Sequence, residues 1–277
     1  MKIDSHQHFW KASRGDYFWM TPDVPRLCRD YFPEDLKPSL AKHRIDKTIL
    51  VQAAPTVAET DFLLDLAQPH DFIAGVVGWL DLESDDFALQ LEQYRQKPKF
   101  IGLRPMLQDL PDDDYIVQPR VVESIKLLAE LNFPFEFLTF TRHLPYVLQV
   151  LEKAPGLRAV VDHISKPEIK LQKMEPWKSL LREVAQHKNV YCKLSGMITE
   201  ADNARWTPDH LRPYIEHVVD CFGFERLMFG SDWPVCLLAG TYDQVIEALT
   251  TILEPALGPA SEAAVFGLNA ARFYKVA

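Results

Sequence analysis

Asp4-Ser5-His6-Gln7-His8-Phe9-Trp10 places two imidazoles two residues apart directly behind the apolar Ile3. On a strand, side chains alternate faces, so His6 and His8 would point the same way, about 6.6 Å apart. That spacing suits two ligands on one metal ion, or two donors to one oxyanion. The bland alternative is a strand with two unrelated histidines, one hydrogen-bonded and one facing solvent. The residues just beyond Trp10 decide the fold. A doubly wound nucleotide-binding sheet usually carries a Gly-rich phosphate loop after its first strand, and none is present. Residues 11 to 33 form instead a long irregular connection carrying Tyr17, Phe18, Trp19 and Met20, broken by Pro22, Pro25 and Pro33. Such a segment is either a functional loop or an aromatic plug over one barrel end.

Outward from there, strands and helices alternate. Pro33-Glu34-Asp35 reads as a helix start with Leu36 and Leu40 as its stripe, and Thr48 to Gln52 as a buried strand. Thr56 with Glu59 has capping-box spacing, and Phe72 to Trp79 is the next strand. Ser84 would cap a helix that buries Phe87, Leu91 and Tyr94 before the strand Phe100 to Pro105. A helix from Pro119 precedes Phe135 to Leu138, a helix over Leu144 to Leu151 precedes Ala159 to His163, and the Trp177 helix precedes Val190 to Leu194. The amphipathic run Pro208 to Phe222, stopped by Gly223, leads to Leu227 to Asp232, and helical stretches over 242 to 253 and 261 to 274 close the chain. Eight strands with intervening helices predict one (β/α)8 TIM barrel of the α/β class, with an additional C-terminal helix, as a single domain over residues 1–277.

Composition agrees with that architecture. A chain of 277 residues exceeds the roughly 250 that one such barrel typically needs. Hydrophobic residues at 47% and charged residues at 25% fit a soluble globular protein with a large core. The net charge of -9 argues against a nucleic-acid partner, which needs a basic face. No membrane segment or signal peptide is read, and Cys28, Cys192, Cys221 and Cys236 lack Cys-x-x-Cys spacing, as expected of reduced thiols in a cytoplasmic protein. Nothing in the sequence sets the oligomeric state.

Side chains at strand C-termini converge on one mouth of a barrel. The predicted strand ends supply His6, His8, Gln52, Trp79 with Asp81, Arg104, Glu136, His163, Lys193 and Asp232. Polar groups ending otherwise apolar strands this consistently predict an active site. For Arg104 and Lys193 the alternative is a charge reaching out of the barrel, and for Glu136 a buried structural carboxylate. Strand alternation would send Asp162 and His163 to opposite faces.

Asp4-Ser5-His6-Gln7-His8-Phe9-Trp10, Gly78-Trp79-Leu80-Asp81, Gly102-Leu103-Arg104-Pro105, Asp162-His163 with Lys166-Pro167, Lys193-Leu194-Ser195-Gly196 and Phe229-Gly230-Ser231-Asp232-Trp233-Pro234 together resemble the amidohydrolase superfamily. Within it they are similar to the sugar-lactone hydrolases of the L-fuconolactonase and L-rhamnonolactonase type. The resemblance implies a hydrolase that opens a small sugar lactone, with Asp232 as general base and His6, His8 and His163 polarising the carbonyl. Binuclear members add two further histidine ligands and a bridging group, whereas this chain offers only His163 beyond the first strand. The resemblance therefore implies catalysis with no required cofactor, or with one zinc ion on His6 and His8. Trp10, Arg104, Lys193 and Trp233 are expected to bind substrate, and a zinc-dependent decarboxylase on the same barrel is the alternative activity.

Overall fold

Seven short runs dominated by apolar residues, as expected where both faces of a parallel sheet are buried, and the mostly polar Ile3–Gln7 form the strands. They are β1 (Ile3–Gln7), β2 (Lys47–Val51), β3 (Ile73–Gly78), β4 (Phe100–Leu103), β5 (Phe135–Phe137), β6 (Ala159–Val161), β7 (Val190–Leu194) and β8 (Leu227–Phe229). In this computed structural model, which describes residues 1–276, they pair in parallel in chain order from β1 to β8. Ala277, the last residue of the expected domain, lies outside the described residues. The ring closes where the backbone N–H of Asp232 donates to the carbonyl of His6 at 2.8 Å and that of His8 donates to Trp233 at 2.7 Å. The fold is the expected (β/α)8 barrel.

Helices alternate with the strands much as the apolar periodicity predicted, with instructive differences. Thr56 does cap the helix Val57–Ala67 by accepting from the N–H of Glu59 at 3.0 Å. The Glu59 carboxylate, however, does not return to the cap; it accepts from the Tyr17 hydroxyl at 2.8 Å and the Ala53 N–H at 3.1 Å, pinning the aromatic loop to the barrel. Ser84 sits before the expected helix, Phe87–Arg95, and accepts from Asp86 at 3.2 Å. The C-terminal helical stretch is interrupted by a widened turn over Ala264–Leu268 before ending in Asn269–Tyr274.

That last helix seals one end of the barrel. Ala270, Phe273 and Tyr274 pack against the interior residues Ile3, Ile49, Val51, Val77, Val160 and Met228. Burying one such aromatic side chain contributes about 1.5–3 kcal/mol, so this end is closed by packing and the opposite mouth is left for chemistry. Among the described residues no helix is long and apolar enough to cross a membrane.

Strands β2 to β6 and β8 stop one to three residues short of their expected ends, and at two of them the difference shapes the site. β6 ends at Val161, and His163, Ile164, Ser165 and Lys166 then take φ values of 51°, 49°, 60° and 45°. β8 ends at Phe229, and Asp232 comes after it with φ of 54°. Left-handed backbone at non-glycine residues costs roughly 1 kcal/mol or more each and persists only where surrounding contacts hold it. Here those contacts include the Trp177 indole donating to the Ile164 carbonyl at 2.6 Å and the Ser165–Thr139 hydroxyl pair at 2.8 Å.

Candidate active site

At the open mouth lies a cavity of about 240 Å³. Its polar lining is His8, Arg104, Gln108, His163, Lys166 and Asp232, and its apolar walls include Trp10, Trp19, Leu27, Met106, Leu138 and Val235. The loop over residues 11–33 contributes Trp19 to the cavity wall, while its Tyr17 is buried.

Asp232 is the centre of the polar group. Its Oδ1 lies 3.3 Å from His8 Nε2, 3.7 Å from His6 Nε2 and 3.9 Å from His163 Nε2. Small residues make room for this approach: a Cβ at Gly230 would lie 2.7 Å from the His6 Cβ, and one at Gly196 would lie 2.6 Å from His163 Nδ1. Asp4 ties the two contributing segments together, accepting from Ser231 N–H at 2.9 Å, His6 N–H at 3.1 Å and the Tyr242 hydroxyl at 3.1 Å. Burial pushes the Asp4 carboxyl up to about 6, against the pull of those hydrogen bonds.

Ring partners constrain the imidazoles. His8 Nδ1 sits 2.8 Å from the Val51 carbonyl, which only accepts, so Nδ1 carries the proton and Nε2 presents a lone pair. That nitrogen is 3.1 Å from His6 Nε2. His163 Nδ1 pairs with the Ser195 hydroxyl at 2.8 Å. Burial lowers the basicity of His6 and His8, and it pushes His163 down to about 4 with help from the Lys166 and Arg104 charges. All three are neutral at neutral pH. Asp232 is buried too, which raises a carboxyl, but the His163, His8 and His6 rings outweigh burial and hold it well below the usual range.

Beneath this group lies a second, sealed one. The Lys193 ammonium donates to Glu136 Oε2 at 2.7 Å and Asp162 Oδ1 at 3.1 Å, and lies 3.1 Å from His6 Nδ1. The Tyr274 hydroxyl donates to the other oxygen of Glu136. Burial opposes ionisation of Asp162, yet Lys193, His6 and Arg104 hold it well below the usual range. Burial and the Asp162 charge instead push Glu136 up to about 7, against the pull of Lys193.

The residues expected at the site therefore separate into two sets. His8, His163, Asp232, Trp10 and Arg104 line the cavity, and His6 stands immediately behind His8 and Asp232. Lys193 does not line it, being fully buried among acceptors below. Trp233 does not line it either; its ring packs edge-on against Phe9 and Tyr31. The loop arginines Arg14, Arg142 and Arg205 are not among the cavity's lining residues and are paired with Asp16, Asp113 and Asp202. Asp162 and His163 converge on His6 rather than diverging, because β6 has already ended and the left-handed turn cancels strand alternation. Lys166, Gln108 and Trp19 complete the cavity from loops, where a strand-end count has no reach; the one sequence cue for Lys166 was its place in the Lys166-Pro167 motif.

The donor atoms of His6, His8 and Asp232 lie within 4.8 Å of one another, as do those of His6, Asp162 and His163. Two neutral imidazoles and an ionised carboxylate, all buried, are a donor set suited to zinc. The set fits a metal ion. Comparison with known proteins points the same way. An amidohydrolase of Burkholderia multivorans, 36% identical over the whole of both chains with a TM-score of 0.96, has been crystallised with bound zinc. The expectation that no cofactor is required is corrected by this relative together with the converging donors. The L-fucono-1,5-lactonase of Burkholderia ambifaria is 42% identical over 99% of this chain and 96% of its own, and that of Burkholderia multivorans is 37% identical over the same shares. The model of the amidohydrolase family (Amidohydro_2) matches residues 3–276, and this chain belongs to that family.

Proposed function

We propose that this chain hydrolyses the ring ester of a neutral sugar lactone, with L-fucono-1,5-lactone the first substrate to try, in one barrel domain over residues 1–277 that holds a metal ion on His6, His8 and Asp232. The observation that carries the reading is the meeting of an ionised Asp232 with neutral His8 and His163 at a cavity walled by Trp10 and Trp19. The 42% identity to an L-fucono-1,5-lactonase supplies the substrate class.

A metal ion bound there supplies Lewis acidity, polarising an ester carbonyl and acidifying water. Asp232 takes the proton of the attacking water and returns it to the ring oxygen as the C–O bond breaks. In the tautomer in which the Ser195 hydroxyl donates to Nδ1, the His163 proton is on Nε2 and is available as a hydrogen bond to the carbonyl oxygen. The Trp10 and Trp19 faces pack the C–H side of the sugar ring. Arg104 is already paired with Asp162 at 3.2 Å, which suits it to orienting a hydroxyl rather than neutralising a dianion.

Proton release should be followed for L-fucono-1,5-lactone, L-rhamnonolactone and 2-pyrone-4,6-dicarboxylate, before and after chelation and on return of zinc. The neutral lactones should be preferred by at least about tenfold in kcat/KM, a difference of about 1.4 kcal/mol, and activity should follow zinc. Preference for the dicarboxylate, or absence of acid release from every lactone, would overturn the reading.

A further inference from the structure

We propose that Lys166 is the anion-recognition group of the cavity, its ammonium receiving the carboxylate that ring opening creates; the assignment deepens the lactonase reading and rests on it. Hydrolysis of a neutral lactone changes the ligand's charge by one: water adds to the acyl carbon, the C–O bond breaks, one proton of the water ends on the ring oxygen as a hydroxyl, and the other is released to solvent, leaving a carboxylate. The cavity must accommodate that new charge near Asp232, which is itself an anion. A cation on the lining is the direct remedy.

Only two cations line the cavity among the described residues, Arg104 and Lys166. Both amino groups of Arg104 are occupied, Nη1 donating to Asp162 at 3.2 Å and lying 3.4 Å from His6 Nε2, and Nη2 donating to the Gln52 carbonyl; only its buried Nε is without a partner. Lys166 is differently placed. Its Nζ donates to the neutral Gln108 Oε1 at 2.5 Å, and its nearest carboxylate, Glu200, is 3.8 Å away, beyond hydrogen-bond distance. The Phe140 ring lies 5.3 Å from it. An ammonium has three donors, and here one is used at hydrogen-bond distance.

The backbone explains why it stands there. The left-handed run from His163 to Lys166, closed by the Lys166 N–H donating to the His163 carbonyl at 2.8 Å, turns the chain so that both side chains line one cavity. The group proposed to polarise the ester carbonyl and the group proposed to receive the resulting carboxylate are thereby delivered by a single turn. The Lys166 charge is felt at His163, whose imidazole it helps hold in the neutral form.

The test compares wild type with Lys166→Met and Lys166→Arg, each first checked for an unchanged urea midpoint. Three quantities are read: KM for L-fucono-1,5-lactone, inhibition by L-fuconate, and calorimetric L-fuconate binding at low and high salt. In Lys166→Met the L-fuconate constants should weaken by about tenfold or more while KM moves by less than about threefold, and the salt dependence of binding should shrink. Lys166→Arg should recover most of the anion affinity. Equal weakening of lactone and acid would assign Lys166 to a hydroxyl instead, and an unchanged L-fuconate constant would remove it from recognition; either overturns the proposal, as does a wild type that binds no L-fuconate. A wild type that binds L-fuconate through Lys166 yet hydrolyses no lactone would sink the functional reading and leave this assignment standing.

Discussion

The cavity-facing group of His8, His163 and Asp232 and the sealed group of Lys193, Glu136, Asp162 and Tyr274 meet at His6, yet they are electrostatically opposite. In the upper group, neutral imidazole nitrogens converge on a carboxylate, and among the described residues no ammonium or guanidinium is in hydrogen-bond contact with Asp232. In the lower group every carboxylate faces a cation or a hydroxyl donor. The first arrangement is electron-rich and incomplete, which is what a site built to take a cation or pass a proton requires. The second is closed, and it holds His6 in place from below. Both draw on charged residues near strand ends, so burial and partners, not residue type, distinguish machinery from scaffold.

The largest contrast should come from Asp232→Asn. The amide keeps the shape but removes the proposed general base and the proposed anionic metal ligand, so kcat/KM should fall roughly 10²- to 10⁴-fold with little loss of stability. Zinc retained after dialysis should fall too. A loss smaller than about tenfold in activity would mean that the upper group is not the machinery.

Lys193→Met addresses the lower group, and the expectation that Lys193 binds substrate supplies the rival outcome. Removing the ammonium leaves Glu136 with Tyr274 alone and Asp162 with Arg104 and His6, and stranding a buried charge costs about 3–5 kcal/mol. The urea midpoint should fall accordingly, and the double variant with Glu136→Gln should regain part of it. A variant of wild-type stability that has lost activity would restore Lys193 to the substrate.

The barrel was legible because seven of its strands are apolar runs of the right length separated by helices, and because His163 and Asp232 follow two of those runs within three residues while His6 and His8 lie in and just after the first strand. The illegible part was set by backbone geometry. Strand alternation was the rule used for Asp162 and His163, and the left-handed turn after Val161 suspends it. Reach was the rule used for Lys193, but a lysine at a strand end can point down the barrel axis when two carboxylates wait there. Loop residues such as Trp19 and Gln108 carry no periodic signal, so their place at the mouth had to await the fold.

The smallest effect, and the finest test of the comparison, is a pair of opposite pH slopes. His163 in the upper group has its folded value lowered from 6.5 to about 4, so the folded state binds fewer protons than the unfolded chain in that window. Its contribution to stability is present above pH 6.5 and is lost as the pH falls toward 4. Glu136 in the lower group has its folded value raised from 4.5 to about 7, so its contribution is present below pH 4.5 and is lost as the pH rises toward 7. Between pH 4.5 and 6.5 the two oppose one another, and each amounts to at most about 1.4 kcal/mol per pH unit, or about 3 kcal/mol in all. Urea midpoints of metal-free protein should therefore diverge with pH in opposite senses. Relative to wild type, Glu136→Gln should gain stability as the pH rises through this window, and His163→Asn should lose it. Slopes of the same sign in both variants would show that the two groups titrate as one network through His6, and the division between an open upper site and a closed lower scaffold would fail.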